Sequence, residues 1–150
     1  DVGDLDVASA PEIRRTAQGS ACVLLGPGLL DPDAASALLA AVVPHLEGPV
    51  VIDALGSSYV THHPDGLHHL AGRSVLTVNP TELARTLGEE EGVVGKDLLA
   101  AARRLAERAR AVVLCGGPVK AIAAPDGEAW QVTEGGPGLG VAGSGEVQAG

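Results

Sequence analysis

Four short runs of this chain are apolar almost throughout: Ala21-Cys-Val-Leu-Leu25, Pro49-Val-Val-Ile-Asp53, Ser74-Val-Leu-Thr-Val78 and Ala111-Val-Val-Leu-Cys115. A strand with one wet face alternates apolar and polar residues, so a run that does not alternate reads as a strand covered on both faces. Each run is closed by a turn-former or an acid: Gly26-Pro27-Gly28, Asp53, Asn79-Pro80 and Gly116-Gly117. Helical stretches lie between them. Asp31-Pro32 opens one, with Asp31 as cap and Pro32 at the first helical position. Asn79-Pro-Thr-Glu82 has the spacing of a capping box, and Gly88 ends that helix. Lys96 to Arg110 carries Leu98, Leu99, Ala102, Leu105 and Ala109 on one face. Pro125-Asp126-Gly127 separates Val119–Ala124 from Glu128–Thr133 as the turn of a β-hairpin. Strand and helix in alternation predict an α/β fold, a mainly parallel sheet with helices on both faces, in a single domain over residues 1–150.

The core must be aliphatic, since the chain has no Phe and no Met, one Trp (Trp130) and one Tyr (Tyr59). The formal charge of −9 argues against nucleic acid and anionic membrane as partners. No apolar stretch reaches the ~18 residues of a membrane span, so a cytoplasmic protein is expected. Cys22 and Cys115 lie within or at the end of apolar runs, without the spacing of a disulfide framework; both are expected in the core. His62-His63 and His68-His69 flank Asp65, but adjacent histidines point different ways, and the stretch reads as a loop into a short surface helix rather than a metal centre. Arg103, Arg104, Arg108 and Arg110 read as a solvated helix face. Trp130 is a packing residue or the contact point of a homo-oligomer.

Ligands of parallel sheets sit beyond the carboxyl ends of the strands. Gly26-Pro27-Gly28, Asp53, Asn79-Pro80 and Cys115-Gly116-Gly117 all fall there. The closing Gly143-Ser144-Gly145-Glu146 has the same small-residue character and reads as an anion loop at the entrance to a helix. Glu146 to Gly150 is too short to be a stable helix, which implies that its supporting element lies beyond the quoted residues. Asp1 in place of Met marks a processed or trimmed start, so the domain is expected to be partial.

Taken together, LLGPGL, VVIDA, LTVNPTEL, VVLCGG with IAAPDG, and GSGE, in this order, resemble the ribokinase-like enzymes. The similarity is strongest to the ADP/ATP-dependent NAD(P)H-hydrate dehydratases related to the C-terminal half of the YjeF proteins. It runs from about Ala21 to the end, with only a remnant of the first elements at Val7–Glu12. The resemblance implies substrate contacts from Gly28 and Asn79, beside which Asp53, an acid at a strand end, reads as a further substrate-binding residue. It implies adenine-nucleotide contacts from Cys115, Gly116, Gly117, Pro118, Val119 and Gly145, with Gly143 and Ser144 joining them through the anion loop. It places Glu146 where the family has its catalytic Asp, implies ADP or ATP with Mg²⁺, and implies a small nucleotide as substrate.

The chain departs from the family pattern at several of these positions. Cys115 stands where Lys is usual, Asn79 where His is usual, and Glu146 is one methylene longer than Asp. The second Asp of the family's DADAL string is absent after Asp53. Lys120 is near Cys115 in sequence, but strand alternation turns it away. Two further readings therefore stand beside the dehydratase: a small-molecule kinase of the same fold acting on a sugar or vitamin, and a catalytically silent nucleotide-binding paralogue.

Overall fold

A computed structural model of the chain describes residues 5–133 and 144–150. Its six strands form one mixed sheet whose spatial order is the chain order. The strands are β1 (Val23–Leu25), β2 (Val50–Ile52), β3 (Ser74–Val78), β4 (Val112–Cys115), β5 (Lys120–Ala123) and β6 (Ala129–Val132). β1 to β4 run parallel, and β5 and β6 add antiparallel, so the expected hairpin forms. The helices are α1 (Ala10–Ala17), α2 (Pro32–Val42), α3 (Ser57–His62), α4 (Pro80–Leu87), α5 (Glu91–Val94), α6 (Leu98–Ala109) and α7 (Ser144–Ala149).

The local signals hold at the helix ends. The Asp31 carboxylate accepts from the Ala34 N–H at 2.8 Å, with Pro32 at the first position. The box at Asn79 is closed both ways: the Asn79 side chain accepts from the Glu82 N–H, and the Glu82 carboxylate from the Asn79 N–H, each at 2.9 Å. Gly88 ends α4 in the left-handed region, at φ +73°.

Parallel crossovers are right-handed, so a sheet whose spatial order follows the chain carries its crossing helices, α2 to α6, onto one face. The burial pattern agrees. Ile52, Leu76, Val113, Cys115, Ala121 and Ala123 point to that face and are wholly buried, against Leu39, Leu83, Leu105 and the alanines of α6. The alternate residues, Val51, Val75, Val112, Leu114 and Ile122, are half-buried, and Leu24 and Trp130 on the same side are 40% and 50% exposed. α1 packs on α2 near the β1 edge, and α7 lies against β3.

Cys115 is buried as expected, but Cys22 is exposed. It precedes β1, the edge strand, and lines an open hollow of about 420 Å³ between β1 and α1, where no further strand among the described residues covers it. Three of the histidines are tied into the fold by hydrogen bonds. His68 Nε2 pairs with the Arg108 carbonyl at 2.9 Å, His69 Nε2 with the Val43 carbonyl at 3.1 Å, and His62 Nδ1 with Ser36 Oγ at 3.1 Å. The α6 arginines are less uniformly solvated than their spacing suggests. Arg104 makes a two-pronged ion pair with Glu89, and Arg108 donates to the Thr86 carbonyl at the end of α4. No described helix is long and apolar enough to cross a membrane.

Candidate functional site

The parallel register aligns the carboxyl ends of β1 to β4 into a rim. Leu25 pairs with Ile52, Ile52 with Leu76, and Val78 with Cys115. The next residue of each strand therefore opens onto a common edge: Gly26, Asp53, Asn79 and Gly116.

Asp53 is the most constrained of these. Its N–H donates to the Leu25 carbonyl at 2.9 Å, and its own carbonyl accepts from the Gly56 N–H at 2.9 Å. Gly26 presses so close that a Cβ there would lie 1.8 Å from the Asp53 carbonyl oxygen, an approach only glycine permits, and its φ of +122° is also a glycine angle. Ala54, the next residue, sits at φ +48°, which costs a non-glycine residue ~1 kcal/mol or more. Asp53 is 8% exposed, and Thr77 Oγ1 donates to its Oδ1 at 2.6 Å. Gly28 turns the chain away at φ +82° into open space.

Asn79 is exposed at the rim, with its side-chain oxygen committed to capping α4. Glu82 brings a second carboxylate toward the same end of the sheet. Burial pushes its carboxyl up; the Asn79 N–H draws it down, the nearby Asp53 charge raises it again, and Arg85 lowers it. Cys115 faces the helices, and its thiol is pushed up to about 12, by burial first and by the Glu82 charge second. It is therefore a protonated core residue and no nucleophile at neutral pH. Lys120, one position from Ala121, the β5 partner of Cys115, lies on the other face of the sheet.

Gly116, Gly117, Pro118 and Val119 form the loop between β4 and β5, its start tied by the Gly116 N–H to the Val78 carbonyl at 2.8 Å. α7 reaches the same place: the Gln148 side chain lies 3.6 Å from where a Cβ on Gly116 would be. The end of the chain and the β4 loop are thus neighbours, and Gly145 is exposed in the first turn of α7. Gly143 lies outside the described residues, as do the side chains of Ser144 and Glu146. Among the described residues no group of three or more His, Cys, Asp or Glu is placed to hold a metal ion.

Sequence reasoning passed over Thr77, Ala54 and Gln148. Thr77 looks like one more β-branched strand residue, and only the β2–β3 register puts it beside Asp53. Gly26 was visible as a turn-former, but its contact with Asp53 was not.

Known proteins resemble this chain over most of its length. The carbohydrate-kinase family described as NAD(P)H-hydrate dehydratase matches residues 5–150. The bifunctional NAD(P)H-hydrate repair enzyme Nnr of Moorella thermoacetica is 35% identical over 126 residues, covering 84% of this chain and 24% of that protein. The ADP-dependent (S)-NAD(P)H-hydrate dehydratase of Xanthomonas campestris is 32% identical over 133 residues, covering 87% of this chain and 44% of that protein. The chain thus spans less than half the length of either relative. Among solved structures, a ribokinase-like superfamily protein of Enterococcus faecalis aligns with a TM-score of 0.77 at 21% identity, over 97% of this chain and 50% of that one. The ADP/ATP-dependent NAD(P)H-hydrate dehydratase of Bacillus subtilis, co-crystallised with ATP/Mg²⁺, aligns at 0.68 and 23% identity, over 91% of this chain and 49% of that one. At these identities the structural likeness speaks to the fold, which is ribokinase-like. The match across nearly the whole sequence says more: this chain belongs to the NAD(P)H-hydrate dehydratase family of carbohydrate-kinase-like proteins.

Proposed function

We propose that the protein uses ADP or ATP to dehydrate hydrated NADH or NADPH, a repair of damaged nicotinamide nucleotides in the cytoplasm. The observation that carries this reading is the rim itself. A buried carboxylate, Asp53, is fixed by backbone and side-chain contacts at the carboxyl end of a parallel sheet. The β4 loop and α7 meet beside it in a chain that belongs to this family.

In this reading Gly28, Asp53 and Asn79 hold the hydrated nucleotide. Backbone groups of Cys115 to Val119 and of Gly143 to Gly145 hold the phosphates of ADP or ATP, which glycine-rich backbone can do without a lysine. Asn79 contributes as a neutral hydrogen-bonding group. Glu146 removes the proton from the ring hydroxyl as its oxygen attacks the nucleotide's terminal phosphoryl group, and AMP (from ADP) or ADP (from ATP) leaves. The ring C–O bond then breaks and phosphate leaves, while the adjacent ring carbon gives up a proton to solvent as the double bond forms. Mg²⁺ would be held through the nucleotide's phosphates and its own retained waters, and would supply neutralisation of the phosphate charge.

The test uses the full protein with hydrated NADH, Mg²⁺ and ADP or ATP, following the return of reduced-nicotinamide absorbance, with Glu146→Gln as control. Nucleotide-dependent recovery that the variant loses by at least ~100-fold supports the reading. A second reading, a nucleotide-binding paralogue without turnover, is favoured by one observation: neither Cys115, buried and protonated, nor Asn79 brings a charge to the rim. Nucleotide binding without recovery would establish it. Recovery of no hydrate but phosphorylation of a sugar or vitamin hydroxyl would establish a kinase instead.

A further inference from the structure

We propose that Thr77 is a positioning residue for ligand binding: it holds one oxygen of the Asp53 carboxylate so that the other accepts a hydroxyl of the bound nucleotide. This rests on the dehydratase reading and names how its substrate end is held.

Three independent observations converge on it. Thr77 is 2% exposed and stands in a cross-strand row with Leu114, Ile122 and Trp130, so it is the polar exception in an apolar row. A buried hydroxyl is retained where it makes a hydrogen bond that matters, and this one donates to Asp53 Oδ1 at 2.6 Å, a charge-assisted distance. The Asp53 backbone is independently fixed by the Leu25 carbonyl, the Gly56 N–H, the pressed-in Gly26 and the left-handed Ala54. Strain of that kind collects where a side chain must be aimed. Finally, the carboxylate has one partner and two oxygens. Oδ2 has no hydrogen bond among the described residues and is not sealed from solvent. A carboxylate fixed through Oδ1, with Oδ2 open to solvent, accepts a hydrogen bond from an O–H donor, which each ribose of the nucleotide carries.

The experiment compares the full-length protein with Thr77→Val, Thr77→Ser, Asp53→Asn and Thr77→Val/Asp53→Asn. NADH binding is read from nicotinamide fluorescence, and turnover from the repair assay. Thr77→Val is expected to weaken NADH binding by about tenfold, the size of one lost hydrogen bond to a charged group, and Thr77→Ser to restore it to within about twofold. The double variant binds no worse than Asp53→Asn, since Thr77 acts only through Asp53. In turnover, Thr77→Val raises KM for the hydrate and leaves kcat and KM for ADP unchanged. A folded Thr77→Val protein that binds NADH like the unmodified one overturns the proposal and leaves the dehydratase reading standing. So does a variant in which kcat and both KM values deteriorate together, the mark of a merely structural role. Intact binding effects without any turnover overturn the dehydratase reading alone. Failure of the unmodified protein to bind NADH overturns both.

Discussion

Cys115 and Cys22 are the same chemical group in opposite settings. Cys115 is wholly buried on β4, and Cys22 is open beside β1. With its thiol pushed up to about 12 from an ordinary 9.0, folded Cys115 keeps its proton where the unfolded chain loses it. The sign follows: this contribution to stability is complete below pH 9 and is lost as pH rises toward 12, at about 1.4 kcal/mol per pH unit. Denaturant titrations from pH 8 to 10 are expected to show that loss, and Cys115→Ala to flatten it. At pH 8, a thiol reagent labels Cys22 in the folded protein and reaches Cys115 only after unfolding. Two-site labelling without denaturant would contradict the buried placement. The expectation that Cys22 is core failed for a physical reason. An apolar run tells that a strand is present, but not that its first residue lies at the open edge of the sheet.

Among the elements, those with local signals were legible and those held by distant contacts were not. α4 announces itself through Asn79, Pro80, Glu82 and Gly88, all within one short stretch, and the structure realises the whole box. Asn79→Ala is expected to cost about 1 kcal/mol, read from the urea midpoint. A loss in substrate binding well beyond that stability change would give Asn79 a second role at the rim. α3 carries no such signal. Its sequence, Ser-Ser-Tyr-Val-Thr-His, is rich in residues that favour caps and turns. It is helical because Tyr59 and Val60 are buried and because its hydroxyls turn back onto carbonyls: Ser58 Oγ donates to Leu55 and Pro32, and Thr61 Oγ1 to Ser57. The candidate site divides the same way. Its glycines and Asp53 stand at ends of apolar runs and could be read from the chain. The Thr77–Asp53 bond could not, because it exists only once β2 and β3 are paired in register.

At the scale of the whole molecule, the described structure is packed on one side and open on the other. The sheet face that carries Leu24, Val51, Val75, Leu114, Ile122 and Trp130 is largely apolar and only half covered. Contiguous apolar surface of this kind usually lies in an interface. Trp130, the only tryptophan, reports on it directly. In a polypeptide of these residues alone, its emission is expected to be red-shifted and readily quenched by acrylamide, and a blue shift on adding another protein would mark the face being covered. Protection from quenching in the isolated chain would show that the face is already closed. The rim gathers Gly26, Asp53, Thr77, Gly116 and Gln148, and a complete crossover or loop separates each from the next along the chain. No fragment of the fold can therefore carry a weak version of the site. Its binding capacity should arrive in one step, late in folding, after the slow long-range pairings are made. A single nick in any crossover should remove it as abruptly.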